Sequence, residues 1–329
     1  MTKKPIHILG IETSCDETAA SVVRGGRHVL SNVVASSLKE HQKYGGIIPE
    51  IASRRQMELI HLVVQQSLND AKLRLKDIDA VAVTKAPGLI GSLLVGVSFA
   101  RALGFALHKP VIEVDHIRAH LYANFLKLEN GKNKIETALP KLPAIGLVVS
   151  GGHTSLYEVK DVHHFRLLGQ TRDDAAGEAF DKVARILNLG YPGGPVIDRL
   201  AQKGKNQEIR FRCADLPGTD DFSFSGVKTA VLYHVQKNKS QKSNSVAQIA
   251  YAFQESVVTV LVEKCINVCR KKKASTLLVG GGVAANSALR QRLVQEAEGH
   301  GIKVFFPPLV LCLDNAAMVA GLGFHYLKE

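Results

Sequence analysis

The chain has no tryptophan, few aromatics of any kind (6%), no CxxC pair and no GxxxxGK[ST] sequence in its 329 residues. Each absence excludes something. Without Trp there is little on which to stack single-stranded bases, so an RNA partner would be held through backbone and shape. Without a Walker sequence it is not a P-loop NTPase. The five cysteines, Cys15, Cys213, Cys265, Cys269 and Cys312, are odd in number and read as reduced thiols. Cys265 and Cys269 stand one helical turn apart, but no second Cys or His pair accompanies them, so packing explains them better than a metal. The opening residues ahead of PIHILGIE lack the apolar core and cleavage site of a secretory signal, and a cytoplasmic location is expected. The most apolar stretch, residues 89–107, is interrupted by Ser92, Ser98, Arg101 and several glycines. That pattern predicts a buried helix, with no membrane anchor.

What is present is ordinary globular material: 46% hydrophobic and 22% charged residues, over a length that suits two lobes. A net charge of +12 favours a polyanionic partner, because each cation that meets a phosphate releases a condensed counterion. The basic residues cluster at 270–273, an unbroken run, and more loosely at Lys237, Lys239 and Lys242; a solvated face is the plainer reading of both.

The organisation is an internal echo. An apolar run at 6–11 turns through Glu12, Thr13 and Ser14 into SVVRGGRHVL, where Gly25 and Gly26 read as a hairpin turn. A second run at 144–149 turns through Ser150, Gly151, Gly152, His153 and Thr154 into SLYEVKDVHHFRLL. Each opening is followed by an amphipathic helix, then strand AVAVT or TLLVGGG with its helix, then PVIEVD or KVFFPP with its helix. Such a duplication predicts an α/β, actin-like arrangement of two lobes with a central cleft, residues 1–135 and 136–329. The second would carry an insertion at about 191–242, and 127–141 reads as the hinge. Ligands of open α/β sheets sit beyond the carboxyl ends of the strands. The residues expected there are 12–16, 116–120, 150–154, 280–286 and Asp314.

Several of these have chemistry. His116 and His120 lie at i and i+4 in HIRAH and share one helix face. Alone, the pair also fits a surface or capping role. Asp314, opening the equivalent helix of the second half, would complete a His-His-Asp set facing across the cleft, suited to a catalytic Fe(II) or Zn(II) ion. A zinc protease needs Glu directly after the first His, and that position is Ile117. The turns at 150–152 and 280–282 could cradle a phosphate with bare backbone N–H groups, or be mere tight connections. Asp174, Glu178 and Asp181 crowd one predicted helical face, whose repulsion asks for a ligand, a cation or a solvated helix start.

Taken together, GIETSCDET (10–18), GGIIPEIASR (45–54), APGLIGSLLVG (86–96), HIRAH (116–120), VSGGHT (149–154), DDAAGEAFDK (173–182), YPGGP (191–195), FSFSGVKTAV (222–231), GGVAAN (281–286) and DNAAMVA (314–320) resemble the TsaD family of tRNA N6-adenosine threonylcarbamoyltransferases. The resemblance implies an actin-like (ASKHA, hexokinase-like ATPase) fold. It also implies transfer of threonylcarbamoyl from threonylcarbamoyl-adenylate to N6 of the adenosine beside the anticodon, position 37, in tRNAs reading codons that begin with A. It assigns one divalent ion, Fe(II) ahead of Zn(II), to His116, His120 and Asp314. Ligand contacts fall on Val148, Val149, Ser150, Gly151, Gly152, Asp181, Gly194, Asp198 and Asn286. Implied partners are tRNA, a shorter paralogue lacking the metal motif (TsaB-like) and a small ATPase (TsaE-like).

Position at the first strand end makes Glu12 or Asp16 the expected acceptor of the proton released by the attacking amine. Four residues depart from the family pattern: Ala86 before Pro-Gly, Asp115 before the first histidine, Gln56 in place of a frequent histidine and Leu313 beside Asp314. Asp115 adds a negative charge that would raise metal affinity or hold a histidine tautomer. The rival classes are a noncatalytic nucleotide-binding scaffold and a small-molecule carbamoyltransferase or kinase of the same fold.

Overall fold

The opening apolar run becomes β1 (His7–Glu12), which turns into the antiparallel β2 (Glu17–Arg24). Gly25 and Gly26, both at positive φ, then make the hairpin to β3 (His28–Val29). The computed structural model from which these elements are taken describes residues 5–129, 138–204, 209–237 and 245–327. Lys239, Lys242 and most of the expected hinge lie outside the described residues. Two units are present: Met1–Leu139 with Pro307–Glu329, and Pro140–Phe306.

In the first unit the chain continues through β4 (Val33–Ser36), α1 (Leu38–Gln42), α2 (Pro49–Ala71), β5 (Ala80–Ala86), α3 (Ile90–Leu107), β6 (Val111–Asp115), α4 (His116–Tyr122) and β7 (Lys127–Leu128). Among the described residues its strands form one sheet in the order β6-β5-β1-β2-β3-β7, with β4 on β2. Strands β1, β5 and β6 run parallel. Period-2 alternation gives the sheet two apolar faces. Leu9, Ile11, Val81 and Val83 join Ile60, Val63 and Val64 of α2 and Ala100 of α3 in one core.

The second unit contains β8 (Ala144–Val149), β9 (Thr154–Val159), β10 (Phe165–Gln170), α5 (Ala176–Ile186), α6 (Gly193–Ala201), α7 (Ser225–Lys237), α8 (Val246–Lys272), β11 (Thr276–Gly280), α9 (Ser287–Glu298) and β12 (Lys303–Phe305). Its sheet order is β10-β9-β8-β11-β12, with β8, β11 and β12 parallel and β9 antiparallel to β8. That is the first sheet's β2-β1-β5-β6 arrangement repeated. The fold is actin-like and duplicated.

The last helix, α10 (Ala316–Tyr326), departs from the expected pattern. The echo put it, and Asp314, at the end of the second half; instead it packs on the free face of the first sheet. The reason is its small residues. A Cβ on Gly10 of β1 would meet the Ala316 carbonyl at 2.2 Å, and one on Gly323 would meet Ala82 of β5 at 2.6 Å, so helix and sheet approach backbone to backbone.

Helix α3 departs as well. By length and composition it could cross a membrane, and the sequence pointed to a buried helix. It buries only Ser92, Gly96, Ala100 and Gly104, a stripe at i, i+4 spacing. The stripe is small because Thr13 sits over it: its Oγ1 donates to the Ser92 carbonyl at 2.8 Å, and a Cβ on Gly96 would be 2.2 Å from the Thr13 Oγ1. On the other side Ile90, Leu94 and Phe105 are exposed, Ile90 at 87%.

Candidate metal centre and ligand loops

Asp115 ends β6 and begins α4 as its N-cap, its Oδ1 accepting from the Arg118 N–H at 2.9 Å. The helix so started places His116 and His120 on one face, with ring centroids 4.5 Å apart. Opposite them, Asn315 caps α10 through the Met318 N–H and donates from Nδ2 to the Leu311 and Leu313 carbonyls. This fixes the turn that presents Asp314. His120 Nε2 lies 3.1 Å from Asp314 Oδ1 and His116 Nε2 3.6 Å from it, and all three donor atoms fall within 4.8 Å of one another. Bonds of about 2.1 Å to one ion would separate neighbouring ligands by about 3.0–3.4 Å.

The three residues therefore belong to one unit, with the carboxylate delivered by the returning helix. An expectation of donors from opposite lobes is corrected to donors in one unit, two on α4 and one on the turn into α10. The set suits a cation for a further reason. His120 is fully buried; among the described residues its Nδ1 has no hydrogen-bond partner, and its Nε2 meets only the Asp314 carboxylate. An imidazole so placed is costly unless something binds it. His116 is aimed from behind: its Nδ1 stands 3.0 Å from Glu12 Oε2 and 3.2 Å from Ser14 Oγ. Glu12 is held by the Thr84 hydroxyl at 2.6 Å and by the Ser14 N–H at 2.5 Å. This carboxylate–imidazole pair leaves Nε2 for a metal.

Burial and charge oppose each other at this pair. Burial works against a charged His116, but Asp314 and Glu12 outweigh it and push the ring up to about 9. Burial also works to raise Glu12, yet the His116 charge and hydrogen bond hold it below the usual carboxylate range. The tautomer is held by Glu12 rather than by Asp115, whose carboxylate caps the helix.

Glu12 is fully buried and engaged on both oxygens, whereas Asp16, on the β1–β2 turn, is 7% exposed. Beside it is a group the sequence did not single out. Burial, then the charges of Asp314 and Asp16, drive Glu17 well above the ordinary range, and it shares a hydrogen bond with Asp16. Gln56 was noticed only as a departure. Its Nε2 faces the carbonyls of Cys15 and Glu17 at 2.9 Å each and of Thr13 at 3.4 Å, tying the turn to α2.

In the second unit the register Gly280↔Val148 brings the two glycine turns side by side. Gly281 has φ +95°, and a Cβ there would stand 2.4 Å from the Val149 carbonyl, so this position needs glycine. A Cβ on Gly151 or Gly152 would meet nothing within 4 Å among the described residues. The Ser150 hydroxyl accepts from the His153 N–H at 3.1 Å and shapes the turn. Asp181 accepts from the Gly193 N–H at 2.7 Å, at the start of α6 next to Gly194; burial raises its carboxyl above the usual value. Asp198 bonds the Ser287 hydroxyl at 2.8 Å and N–H at 3.1 Å, and Asn286 caps α9 through the Leu289 N–H.

The acidic segment at 173–181 resolves differently from the crowded face. Asp173 and Asp174 precede α5. Asp174 pairs with Lys182 at 2.6 Å and Lys228 at 3.2 Å, and Glu178 pairs with Lys182 at 2.8 Å, so lysines supply the compensation. A cavity of about 900 Å³ between residues 209–220 and α8 is lined by none of the expected site residues.

Comparison with known proteins agrees with the geometry. The family described as TsaD: tRNA N6-adenosine threonylcarbamoyltransferase matches residues 28–321. A tRNA N6-adenosine threonylcarbamoyltransferase of Clostridium botulinum (strain 657 / Type Ba4) is 50% identical over 99% of this chain and 94% of its own length. The enzyme of the same name from Syntrophus aciditrophicus (strain SB) is 50% identical over 98% of this chain and 93% of its own. Among solved structures, full-length HypF in the phosphate- and nucleotide-bound form matches 99% of this chain and 47% of that one, with TM-score 0.61 and 15% identity. Component A of the Acidaminococcus fermentans (R)-2-hydroxyglutaryl-CoA dehydratase matches 98% of this chain and 100% of that one, with TM-score 0.57 and 13% identity. These two share the fold.

Proposed function

The chain belongs to the TsaD family and is a transferase that modifies tRNA, and on that premise we propose that its donor is threonylcarbamoyl-adenylate and its acceptor N6 of the adenosine at position 37. The tRNAs would be those reading codons that begin with A, met in the cytoplasm. The N6–carbonyl carbon bond forms, the bond from that carbon to the phosphate oxygen breaks, AMP leaves, and one proton departs from N6.

The observation that carries the reading is the convergence of His116, His120 and Asp314, with His120 buried and otherwise unpartnered among the described residues. These three would hold one divalent ion, Fe(II) ahead of Zn(II), which when bound supplies Lewis-acid polarisation of the acyl donor. Glu12 keeps His116 in the tautomer that presents Nε2. Because Glu12 is engaged on both oxygens, the role of proton acceptor falls to Asp16, which shares a hydrogen bond with Glu17, whose carboxyl burial pushes well above the ordinary range. In the second unit the bare N–H groups of Gly151 and Gly152 suit a phosphate. Val148, Val149, Ser150, Asp181, Gly194, Asp198 and Asn286 would orient the rest of the adenylate.

The partners extend the proposal. The exposed apolar face of α3, carrying Ile90, Leu94 and Phe105, suits a protein surface, and a TsaB-like paralogue is its proposed occupant. A TsaE-like ATPase would complete the assembly.

The test supplies the chain and these partners with labelled threonylcarbamoyl-adenylate and unmodified tRNA. Label should appear on tRNA, and His116→Ala should lose both bound metal and transfer. Label on neither molecule would make the chain a scaffold. Transfer only to a small acceptor would make it a small-molecule carbamoyltransferase, and full activity in His116→Ala would remove the metal from the reaction.

A further inference from the structure

The basic run at 270–273 has a place in the fold that its sequence did not disclose. It closes α8, and Lys273, at φ 55°, turns the chain toward β11. Because β8, β11 and β12 are parallel, all three begin at this same end of the second sheet. Lys303 opens β12 opposite Thr276, and its N–H bonds the Ser275 carbonyl. Lys141 lies just ahead of β8, whose first residue, Ala144, pairs with Val159; Lys160 follows directly. Four separate segments thus bring exposed cations to one end of one sheet.

A helix terminus explains part of this but not all. Cations complement the dipole at a helix C-terminus, and two of the run are also balanced: Lys271 reaches Asp220 at 3.3 Å and Lys272 reaches Glu158 at 3.9 Å. Lys141, Lys160, Arg270, Lys273 and Lys303 have no carboxylate partner among the described residues, and three of these, Lys303 at the start of β12 and Lys141 and Lys160 beside the ends of β8 and β9, owe nothing to the helix. Unbalanced cations converging from several elements repel one another, and a polyanion relieves that repulsion.

We propose that this end of the second sheet is a docking surface for the phosphate backbone of the tRNA, away from the modified nucleotide. The proposal rests on the tRNA-modifying function. It is distinct from the ligand loops, which leave the opposite, carboxyl ends of β8 and β11. A strand of this length separates the two ends by roughly 17 Å, less than one turn of duplex at about 34 Å. One folded RNA can therefore span both. The contact reads charge and backbone shape, as expected of a chain without tryptophan.

The test compares the full chain with the variant Lys141→Gln/Lys160→Gln/Arg270→Gln/Lys273→Gln, all exposed and outside the metal and ligand sites. Binding of an unmodified tRNA transcript is measured from low to moderate salt. In the variant the slope of log affinity against log salt should fall by about 3, with affinity at 0.1 M salt weakened at least tenfold. Bound metal and melting temperature should be unchanged. Equal slope and affinity in the two proteins would overturn the proposal. So would a variant that keeps its tRNA affinity but loses binding to phosphatidylserine-containing vesicles, which would assign the surface to an anionic membrane. A wild-type chain that, with its proposed partners present, bound tRNA no more tightly than the variant would overturn this surface, whereas label on neither molecule in the transfer assay would bear on the functional reading instead.

Discussion

In the first unit the candidate chemistry is carried by side chains that other side chains hold in place. His116 is fixed by Glu12, Glu12 by Thr84 and Ser14, and Asp314 by the turn that Asn315 ties. In the second unit it is carried by backbone left bare: Gly151 and Gly152 face open space, and Asp198 and Asn286 are mainly occupied in shaping the loops around them. The two sheets share a strand order, so the difference comes from the turns and helices at the strand ends. A buried, pre-aimed donor set suits an ion that stays through many turnovers. A glycine-lined turn suits a ligand that arrives and leaves, since it offers donors without side chains to displace.

The comparison breaks first at Glu12. If the first unit depends on support from behind, Glu12→Gln should lower metal affinity about 10- to 100-fold, measured by competition with a chelator, while adenine-nucleotide binding is unchanged. The pH dependence should move with it. Metal binding needs neutral imidazole, and His116 is pushed up to about 9, so wild-type affinity should rise with pH and level off near 9. Its raised value also means that the metal-free chain gains stability from protonated His116 below the ordinary 6.5 and loses it as pH rises through about 9. Without the Glu12 charge both changes should occur at lower pH. A variant that binds metal as tightly as wild type, with the same profile, would show that His116 needs no orienting partner.

The converse change is Gly281→Val. The left-handed backbone and the 2.4 Å approach to Val149 give any branched residue strain and a clash together, of order 1–3 kcal/mol. Melting temperature and nucleotide affinity should fall, with metal content at the wild-type level, because every donor and its support lie in the other unit. Loss of metal in this variant would mean that the two units do not hold their ligands independently.

Much of this was legible in the sequence because it is periodic. The apolar runs, the glycine hairpin and the i, i+4 histidines each come from a spacing, and the duplication gave the sheets their common order. The features that were not legible depended on packing between distant segments. The small residues of α10 look like an ordinary apolar helix until the close approaches of Ala316 to Gly10 and of Gly323 to Ala82 are seen to need them. Glu12 looked like a free carboxylate at a strand end, because its partners Thr84 and His116 are 72 and 104 residues away. Likewise the lysines that neutralise Asp174 are visible only once α5 and α7 are side by side.

The smallest expected effect tests the segment between the ligand loops and α8. Asp173 reaches across 50 residues to accept from the Ser223 hydroxyl at 2.5 Å, and it also accepts from the Ser225 hydroxyl at 2.7 Å and the Phe224 N–H at 2.8 Å. It acts as a cap delivered from elsewhere, on a helix whose first residue is Ser225. Burial works to raise its carboxyl, but these hydrogen bonds hold it below the usual value. Its contribution is therefore present above the ordinary 3.8 and lost as pH falls through the lowered value. Asp173→Ala should cost about 1 kcal/mol in denaturant unfolding at neutral pH and nothing at strongly acid pH. Metal and nucleotide binding should be unaffected, since the cap touches neither set of residues. A loss of nucleotide binding as large as that of Gly281→Val would place α7 among the supports of the ligand loops, and the second unit would then be held from behind much as the first is.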